Sequence, residues 1–367
     1  MLLREVRGKS LPFGSGGKVT EEAYLTRRDP LSGSVAKISE ARAKRNIGIT
    51  VDFSIESVNE CDFCRYLEKT PETRIMHDCG AVSVSNKFPW EKYDWVTIYP
   101  PFGGHKLLLS ELYFDDLERM LDSSFELASI CARDQEVISF MDFTNWGPFA
   151  GASQQHPHSQ RKSVTGMSGP RLDIEMHNCL EIEAKYGINP FELLAQEELH
   201  AGLRVIRDGD VFIAAAFAPT CAEELIIFPK EPIANILQMD CYARKQIARS
   251  IAWVFPALFF CRGVTDLNIA VHMASFKEME EARRFYRWHM HIYPRRSRLP
   301  ADKAGSEIGF ATEVIDTPPE KTAAVLRRWY EEGPGEGLVA KLQDGTPNPK
   351  LLVALHRFLE SRCQLVA

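Results

Sequence analysis

The sequence predicts an α+β fold built as two tandem domains, and three observations support this prediction. The chain has 367 residues, which exceeds one ordinary core at about 150 residues per domain. The same order of predicted elements, a strand pair followed by a long helix and a further strand, occurs twice. Each copy ends in a His-x-His pair, and His156 and His158 precede His289 and His291 by 133 positions. A repeat of this length indicates duplication of a whole domain, whereas solenoids repeat about every 20 to 50 residues.

The first copy begins with two apolar runs, residues 81–86 (AVSVSN) and 94–99 (DWVTIY), which predict strands that end in turns. A helical pattern follows over residues 107–131, and residues 137–143 predict another strand. Strand pairs followed by a helix and more strands are typical of a mainly antiparallel sheet with helices packed on it.

The second copy has strands predicted over residues 211–217 (VFIAAAF) and 224–228 (ELIIF), and the second strand is followed by a proline. A helix is predicted over residues 233–260, followed by a strand over 266–272. The order of elements therefore matches that of the first copy.

The predicted domain boundaries follow from this repeat. Residues 1–20 are rich in Gly, Ser and Lys and are expected to be flexible. The first domain is expected over residues 21–170. The second domain is expected over residues 171–367, and it includes C-terminal helices predicted over 318–329 and 349–362.

Composition and charge exclude several classes of protein. Apolar residues make up 45% and charged residues 26% of the chain, and the net charge is -6. Lys and Arg are scattered among acids, so the basic stripe of a nucleic-acid-binding protein is missing. The most apolar stretch, residues 250–261, is shorter than the roughly 20 residues that cross a bilayer. The charged N-terminal sequence lacks the apolar run of a secretory signal, so we expect a cytoplasmic protein without membrane partners.

Nine cysteines are spread irregularly, and only Cys61 and Cys64 are close together. This spacing favours metal or thiol chemistry over disulfides. A Cys-x2-Cys knuckle supplies two thiolates to one tetrahedral ion, and His105 and His156 can complete a Cys2His2 zinc site. The other interpretation is that the cysteines are buried core residues and the histidines belong to other networks. Two nearby residues are alternatives for the third ligand: His77 and Cys79.

The motif His156-Pro157-His158-Ser159-Gln160 follows Gly151-Ala152-Ser153. On a strand, alternate side chains point to one face, so we expect His156, His158 and Gln160 to lie in a row. A neutral imidazole with one nitrogen held by a backbone carbonyl presents the other nitrogen as a nucleophile toward phosphorus. Ser153 and nearby backbone amides can cradle the phosphate oxygens. The motif therefore predicts a site at which an imidazole attacks phosphorus.

His-Pro-His-Ser-Gln after Gly-Ala-Ser, with an upstream Cys-x2-Cys, resembles the galactose-1-phosphate uridylyltransferase-like branch of the histidine-triad superfamily. The uridylyltransferases usually carry Gly where Ser159 stands, and Ser159 is closer to ADP-glucose phosphorylase-like relatives. The resemblance implies two tandem histidine-triad-like domains. Further motifs agree in order over residues 27–330: Asp29-Pro30-Leu31-Ser32-Gly33, Arg42-Ala43-Lys44-Arg45, Asn86-Lys87-Phe88-Pro89, Asn145 before Gly147, Glu223-Glu224, Phe228-Pro229-Lys230, Trp288-His289-Met290-His291 and Pro294-Arg295.

The resemblance also implies a role for each motif residue. His158 would form a nucleotidyl-histidine intermediate, and Gln160 would hold the transferred phosphate. Arginines that reach the site across a dimer interface in some members imply a homodimer. One structural zinc would be bound by Cys61, Cys64, His105 and His156. The nucleotide and its phosphates would contact Asn86, Phe88, Asn145, Ser153, Arg42 and Arg45.

Gln160 occupies the position at which histidine-triad hydrolases carry a third histidine. A histidine there can protonate a poor leaving group, whereas glutamine cannot donate a proton in that sense. Gln160 therefore favours a leaving group that departs as a stable anion. We expect an NMP group to move from a nucleoside diphosphate sugar to a sugar 1-phosphate or inorganic phosphate, without a redox cofactor. The alternatives are a dinucleoside polyphosphate phosphorylase or nucleotide hydrolase on the same fold, and a non-catalytic nucleotide-binding zinc protein.

His272, His289 and His291 match the positions of a second metal site, for zinc or iron, in some uridylyltransferases. A carboxylate would complete that site, and Glu175 and Glu181 are both candidates. The alternative is that these histidines contact an acceptor substrate or polar groups of the core.

Overall fold

The structure is a computed structural model that describes residues 3–10, 22–38, 61–70, 74–86, 89–99, 108–165, 169–295, 305–342 and 344–366. Its strands form two sheets, one of ten strands and one of four. In chain order the strands are β1 Arg4–Ser10, β2 Glu22–Arg28, β3 Val35–Ile38, β4 Ile75–Met76, β5 Val82–Ser85, β6 Asp94–Ile98, β7 Val137–Trp146, β8 His158–Thr165, β9 Val205–Asp208, β10 Val211–Ala215, β11 Leu225–Pro229, β12 Asp266–His272, β13 His289–Arg295 and β14 Thr312–Ile315.

The ten-stranded sheet has the order β4-β5-β6-β8-β7-β12-β13-β11-β10-β9, and its neighbouring strands pair antiparallel. The strands from the two repeat copies meet where β7 pairs with β12, with Asn145 opposite Asn268. This architecture confirms the predicted α+β class with a mainly antiparallel sheet. Both copies share one continuous sheet, so side chains from either copy can act at the same surface.

The strand β7 continues beyond the predicted end at residue 143, as far as Trp146. The extra residues pair with β12, where Trp146 lies opposite Leu267. The sequence pattern missed this extension because the first two added residues, Thr144 and Asn145, are both polar and do not continue an apolar run. The extension places Asn145, a residue predicted to contact the nucleotide, within this strand.

The small sheet consists of β1, β2 and β3, with β14 pairing parallel to β3. Part of the segment expected to be flexible belongs to this sheet, because Arg4–Ser10 pair along their whole length with β2. Composition concealed this strand, since its pairing depends on backbone hydrogen bonds and on one buried cation. Arg27 of β2 is 3% exposed, and its guanidinium lies 3.0 Å from Glu5 and 2.7 Å from Glu320.

The helices are α1 Tyr66–Lys69, α2 Phe114–Ala132, α3 Pro170–Tyr186, α4 Pro190–Ala201, α5 Cys241–Ile251, α6 Val254–Arg262, α7 Met279–Ala282, α8 Gly305–Phe310, α9 Pro319–Glu332 and α10 Pro349–Val366. The main core forms where α2, α5, α6 and α9 pack on one face of the large sheet around Phe255, Phe259 and Phe260. A second core packs α3 and α4 against β10 and β11, with Phe191 and Phe228 in edge contact. In the part of the chain that is described, no helix combines the length and hydropathy needed to span a bilayer.

Two predicted helices are shorter than expected, and two of the longer helices, α3 and α4, had no predicted bounds. The helix predicted over 107–131 begins only at Phe114, because Asp116 accepts the amide of Tyr113 and caps the helix there. The helix predicted over 233–260 is divided into a 3-10 turn, α5 and α6, since Asp240 caps α5 and the chain bends at Ala252 and Trp253. The missed helices α3 and α4 each begin with proline and end at a glycine with positive φ, which are helix boundary signals.

Candidate active site and metal centres

His158 is the first residue of β8 and is 5% exposed. Its Nδ1 lies 2.8 Å from the carbonyl oxygen of His156. A carbonyl only accepts hydrogen bonds, so Nδ1 carries the proton and Nε2 keeps its lone pair. Burial lowers the pKa of His158, and the hydrogen bond to His156 opposes this shift only in part. The ring is therefore a neutral imidazole with a fixed tautomer, which is the form of histidine that attacks phosphorus.

The side chains of β8 divide between the two faces of the sheet. Arg161 is fully buried on the face covered by α2, where it donates a hydrogen bond of 2.6 Å to the carbonyl oxygen of Met120. Alternation places His158, Gln160 and Lys162 on the opposite face. The nucleophile candidate and Gln160 therefore share a surface that α2 leaves uncovered.

The prediction that His156 lies in the same row as His158 and Gln160 is wrong. The strand begins only at His158, because Pro157 has no amide hydrogen and cannot donate to the ladder. The side chain of His156 turns instead toward the cysteine knuckle. Lys162 is the third member of the row, and its Nζ lies 2.5 Å from Asp94 and 4.5 Å from the ring centre of Trp90.

The first candidate metal centre consists of Cys61, Cys64 and His156, whose ligand atoms all lie within 4.8 Å of one another. Nδ1 of His156 is 3.7 Å from Sγ of Cys61 and 3.4 Å from Sγ of Cys64. On a tetrahedral zinc ion, a sulfur bound at about 2.3 Å and a nitrogen bound at about 2.0 Å are separated by a distance similar to these two. Nε2 of His156 faces the carbonyl oxygen of Tyr99 at 2.7 Å, which fixes Nδ1 as the metal-binding nitrogen. These residues fit a zinc ion that has one further ligand.

The alternatives for the remaining ligand lie elsewhere. His77 is bound to Glu126 at 2.5 Å and to Ser83 at 2.7 Å, and the thiol of Cys79 faces the carbonyl of Arg119. Four of the predicted site residues lie outside the described residues: His105, Phe88, Arg42 and Arg45.

The loop before β8 carries Ser153 and is held by β12. Its Gly147 has φ 83° and Gly151 has φ 84°, a region that favours glycine. A Cβ atom at Gly147 would lie 2.2 Å from Oδ1 of Asp266, and the same oxygen accepts the amide of Phe149 at 2.9 Å. Only glycine fits at Gly147, and Asp266 of the second repeat copy therefore fixes the loop of the first.

The predicted nucleotide residues Asn86 and Asn145 are both held by side chains that sequence reasoning did not single out. Nδ2 of Asn86 donates to Asp94 at 3.1 Å. Oδ1 of Asn145 accepts from Nδ2 of Asn268 at 2.8 Å. Neither Asp94 nor Asn268 belongs to a motif, so these two partners become apparent only from the pairing of the strands.

The second candidate metal centre joins Glu175, His272, His289 and His291, whose ligand atoms also lie within 4.8 Å of one another. Glu175 is 1% exposed, and its carboxylate is 2.8 Å from His272 and 3.4 Å from His289. Burial alone would raise the pKa of Glu175, but the two histidines lower it well below its usual range. The structure thus selects Glu175 over Glu181, which lies on the surface and contacts His177.

Outer hydrogen bonds orient the ligands of this second centre. Nδ1 of His291 lies 2.8 Å from Glu224, and Nδ1 of His289 lies 2.9 Å from the carbonyl of Arg287. Both rings therefore direct Nε2 toward the cluster, the arrangement expected of histidine ligands. The role of Glu224 was missed, although its position in the Glu223-Glu224 motif was a signal.

A buried polar network supports β8 from behind. The guanidinium of Arg161 contacts Asp142 at 3.3 Å and the hydroxyl of Tyr99 at 3.1 Å. The hydroxyl of Tyr99 donates to Ser159 at 2.6 Å, and Ser159 lies 2.5 Å from Thr144. The carbonyl oxygen of Tyr99 also contacts His156. The network therefore connects the first candidate metal centre to the strand that begins at His158. Arg161, a charged residue in mid-strand, was the signal for this network in the sequence.

No protein-family model matches the chain. A search of characterised proteins finds an ADP-glucose phosphorylase from Arabidopsis thaliana, 23% identical over 357 residues, with 86% of this chain and 95% of the relative covered. The crystal structure of an ADP-glucose phosphorylase from the same plant, with bound ADP-glucose, superposes with a TM-score of 0.69 at 21% identity, covering 82% of this chain and 97% of that one. A uridylyltransferase mutant structure superposes with a TM-score of 0.63 at 20% identity, covering 84% and 99%.

The matches cover at least 82% of this chain and at least 95% of each relative. The comparisons confirm the resemblance: the chain has the fold of the galactose-1-phosphate uridylyltransferase-like branch of the histidine-triad superfamily, with an ADP-glucose phosphorylase among its relatives.

Proposed function

We propose that the protein transfers a nucleoside monophosphate group from a nucleoside diphosphate sugar to inorganic phosphate, through a nucleotidyl-histidine at His158. The observation that carries the proposal is the geometry of this ring: Nδ1 is held by the carbonyl of His156, and Nε2 is left as the nucleophile. The relative named ADP-glucose phosphorylase supports ADP-glucose as the donor. A sugar 1-phosphate is the second acceptor to be considered, because uridylyltransferases share the fold.

In the first half-reaction Nε2 of His158 attacks the α-phosphorus. A bond forms between nitrogen and phosphorus, and the bond from that phosphorus to the bridging oxygen breaks. The leaving sugar 1-phosphate departs as an anion and needs no proton, which agrees with an amide at Gln160 in place of a general acid. Gln160, Asn145 and Ser153 supply neutral donors for the phosphate oxygens.

In the second half-reaction an oxygen of the acceptor phosphate attacks the same phosphorus, and the nitrogen–phosphorus bond breaks. The products are a nucleoside diphosphate and regenerated imidazole. While the nucleotidyl group is attached, the ring of His158 carries positive charge, and the bond from Nδ1 to the carbonyl of His156 stabilises it. The same hydrogen bond therefore sets the tautomer before attack and stabilises the intermediate after it.

We also propose that the two clusters hold metal ions with structural roles. Cys61, Cys64 and His156 would bind zinc with His105 as the fourth ligand, and Glu175 with the three histidines would bind a second divalent ion. The strands β8 and β13 are three strand spacings apart, or about 14 Å. The second ion is thus too far from His158 to contact the reacting phosphorus, and its effect is to tie α3 to β12 and β13.

The second metal site predicts a difference between two glutamates on one helix. Glu175→Gln is expected to lower the metal content from two ions per chain to one, because an amide is a far poorer ligand than a buried carboxylate. Glu181→Gln, a surface change on the same helix, is the matched control and should retain both ions. Metal analysis of the purified proteins measures the outcome. Two ions in the Glu175→Gln protein, or one in the wild type, would refute this assignment.

Three further features belong to the proposal, and of these the homodimer follows from the family resemblance. The chain would divide into functional domains at residues 21–170 and 171–367. It would act in the cytoplasm as a homodimer, and Arg42 and Arg45 would reach the phosphates of the partner's site.

The proposed activity is tested with two donors and two acceptors. ADP-glucose with phosphate is expected to give ADP and glucose 1-phosphate in equal amounts, at least about tenfold faster than UDP-glucose reacts, since pocket contacts discriminate by ~1 to 3 kcal/mol. Glucose 1-phosphate replaces phosphate in the second arm and measures exchange. Release of AMP without any acceptor would identify a hydrolase and reject the transferase, as would no turnover in either arm.

A further inference from the structure

Three side chains form a hydrogen-bonded row across three neighbouring strands. Nε of Arg295 on β13 donates to Oδ1 of Asn268 on β12 at 2.6 Å. Nδ2 of Asn268 donates to Oδ1 of Asn145 on β7 at 2.8 Å and to the carbonyl of Ala150 at 2.9 Å. The row crosses the junction between the two repeat copies, and it ends at a residue expected to contact the substrate phosphate.

The amide of Asn268 has one orientation that satisfies its neighbours. A guanidinium only donates hydrogen bonds, so Arg295 requires the oxygen of Asn268 on its side. A backbone carbonyl only accepts, so Ala150 requires the nitrogen on the other side. These two neighbours fix the amide of Asn268 independently of Asn145. Asn145 must then turn its carbonyl oxygen toward Asn268 and its NH2 group away.

The register of the sheet shows what lies on the other side of Asn145. Phe143 of β7 pairs with Gln160 of β8. Continuing this antiparallel register by two places puts Asn145 opposite His158, and alternation keeps the two side chains on one face. Asn145 therefore lies between Asn268 and the nucleophile, with its NH2 group on the side of His158.

We propose that Asn268 is a positioning residue, which holds the amide of Asn145 so that its NH2 group donates to a non-bridging oxygen of the phosphate attacked by His158. The inference rests on the proposed function and adds a residue from the second repeat copy to it. With the opposite orientation, Asn145 would direct a carbonyl oxygen at a phosphate oxygen, and a hydrogen bond would become a repulsive contact. Arg295 on β13 contributes by fixing the amide of Asn268. Through Asn268 it also determines the orientation of the Asn145 amide at the donor phosphate.

The test is a double-mutant cycle with Asn268→Asp and Asn145→Ala. A carboxylate at position 268 can still accept from Arg295 but has no hydrogen to give to Asn145, so the amide of Asn145 is expected to reverse. The rate at which ADP-glucose nucleotidylates the protein in a single turnover should fall about 100-fold, the usual cost of removing one such donor. In the Asn145→Ala background, the same change at Asn268 should cost at least tenfold less.

The second background also controls for charge and for folding. Asn268→Asp introduces a negative charge in both backgrounds, so a loss that arises from charge or from a damaged fold persists when Asn145 is absent. Equal losses in the two backgrounds, within about threefold, would overturn the proposal, and so would an unchanged rate in the single variant. Thermal unfolding of the four proteins gives the stability contribution separately.

Binding of ADP, measured by calorimetry on the same four proteins, separates this proposal from the proposed function. Absence of nucleotidylation in the wild type would reject the transferase mechanism alone. The ADP affinity would still report the contact, because Asn268→Asp should weaken binding at least about tenfold more in the presence of Asn145 than in its absence. ADP affinities without this coupling would reject the positioning role.

Discussion

His158→Asn is expected to lower the rate of nucleotidylation by ADP-glucose by at least about four orders of magnitude, because removal of a covalent nucleophile eliminates the intermediate. Asparagine keeps a polar side chain of moderate size at the start of β8, so the strand and its neighbours should remain in place. The measurement is a single-turnover assay with donor labelled in the adenine, in which acid-labile label on the protein is counted.

His200→Asn is the matched control for this experiment. His200 lies on α4 in an exposed position, and its replacement should leave the labelling rate within about twofold of wild type, as surface changes usually do. Labelling of the His158→Asn protein within tenfold of wild type would exclude His158 as the nucleophile. A loss of labelling in both variants would indicate damage that is unrelated to the chemistry.

Cys64→Ser is expected to remove zinc and to lower the unfolding temperature by at least about 10 °C, because structural zinc contributes about 10 to 16 kcal/mol of apparent binding energy in small domains. The cysteine knuckle holds the chain between Cys61 and α1 against His156. Loss of the ion would therefore free the residue whose carbonyl orients His158, and nucleotidylation should decrease as well.

The exposed free cysteine Cys241 provides the comparison, since Cys241→Ser changes a thiol without a metal role. If the Cys64→Ser protein does not fold, zinc content and thermal unfolding of the wild type with and without chelator give the same information. At least one zinc per chain and a lower unfolding temperature in chelator are expected. A wild type without zinc, whose unfolding temperature is indifferent to chelator, would show that the cysteines are core residues.

Local patterns predicted the parts of the fold that have local causes. The strand predicted over residues 266–272 has those bounds in the structure, because an alternating run between turn residues is sufficient to define it. The helix α3 was missed for the opposite reason. Its buried positions include Glu175 and Cys179, so a carboxylate of the second candidate metal centre stands where an apolar residue would mark the helix.

The candidate site was predictable where a motif carries its residues, and not where the sheet brings distant residues together. The spacing of Cys61, Cys64 and His156 led to one cluster, which the structure brings together. Asn268 stands in no motif and lies 123 positions from Asn145. Its contact exists only because β7 and β12 are neighbours, a pairing between the repeat copies that neither copy encodes alone.

Peptide mapping of the covalent intermediate identifies the residue that attacks the nucleotide phosphorus. The protein is incubated with ADP-glucose, quenched in alkali and digested, and the nucleotidylated residue is located by mass spectrometry. We expect an adenylyl group on His158 that disappears when phosphate is added before quenching, with ADP as the product. Phosphorolysis that proceeds without an adduct, or with the adduct on another residue, would contradict it.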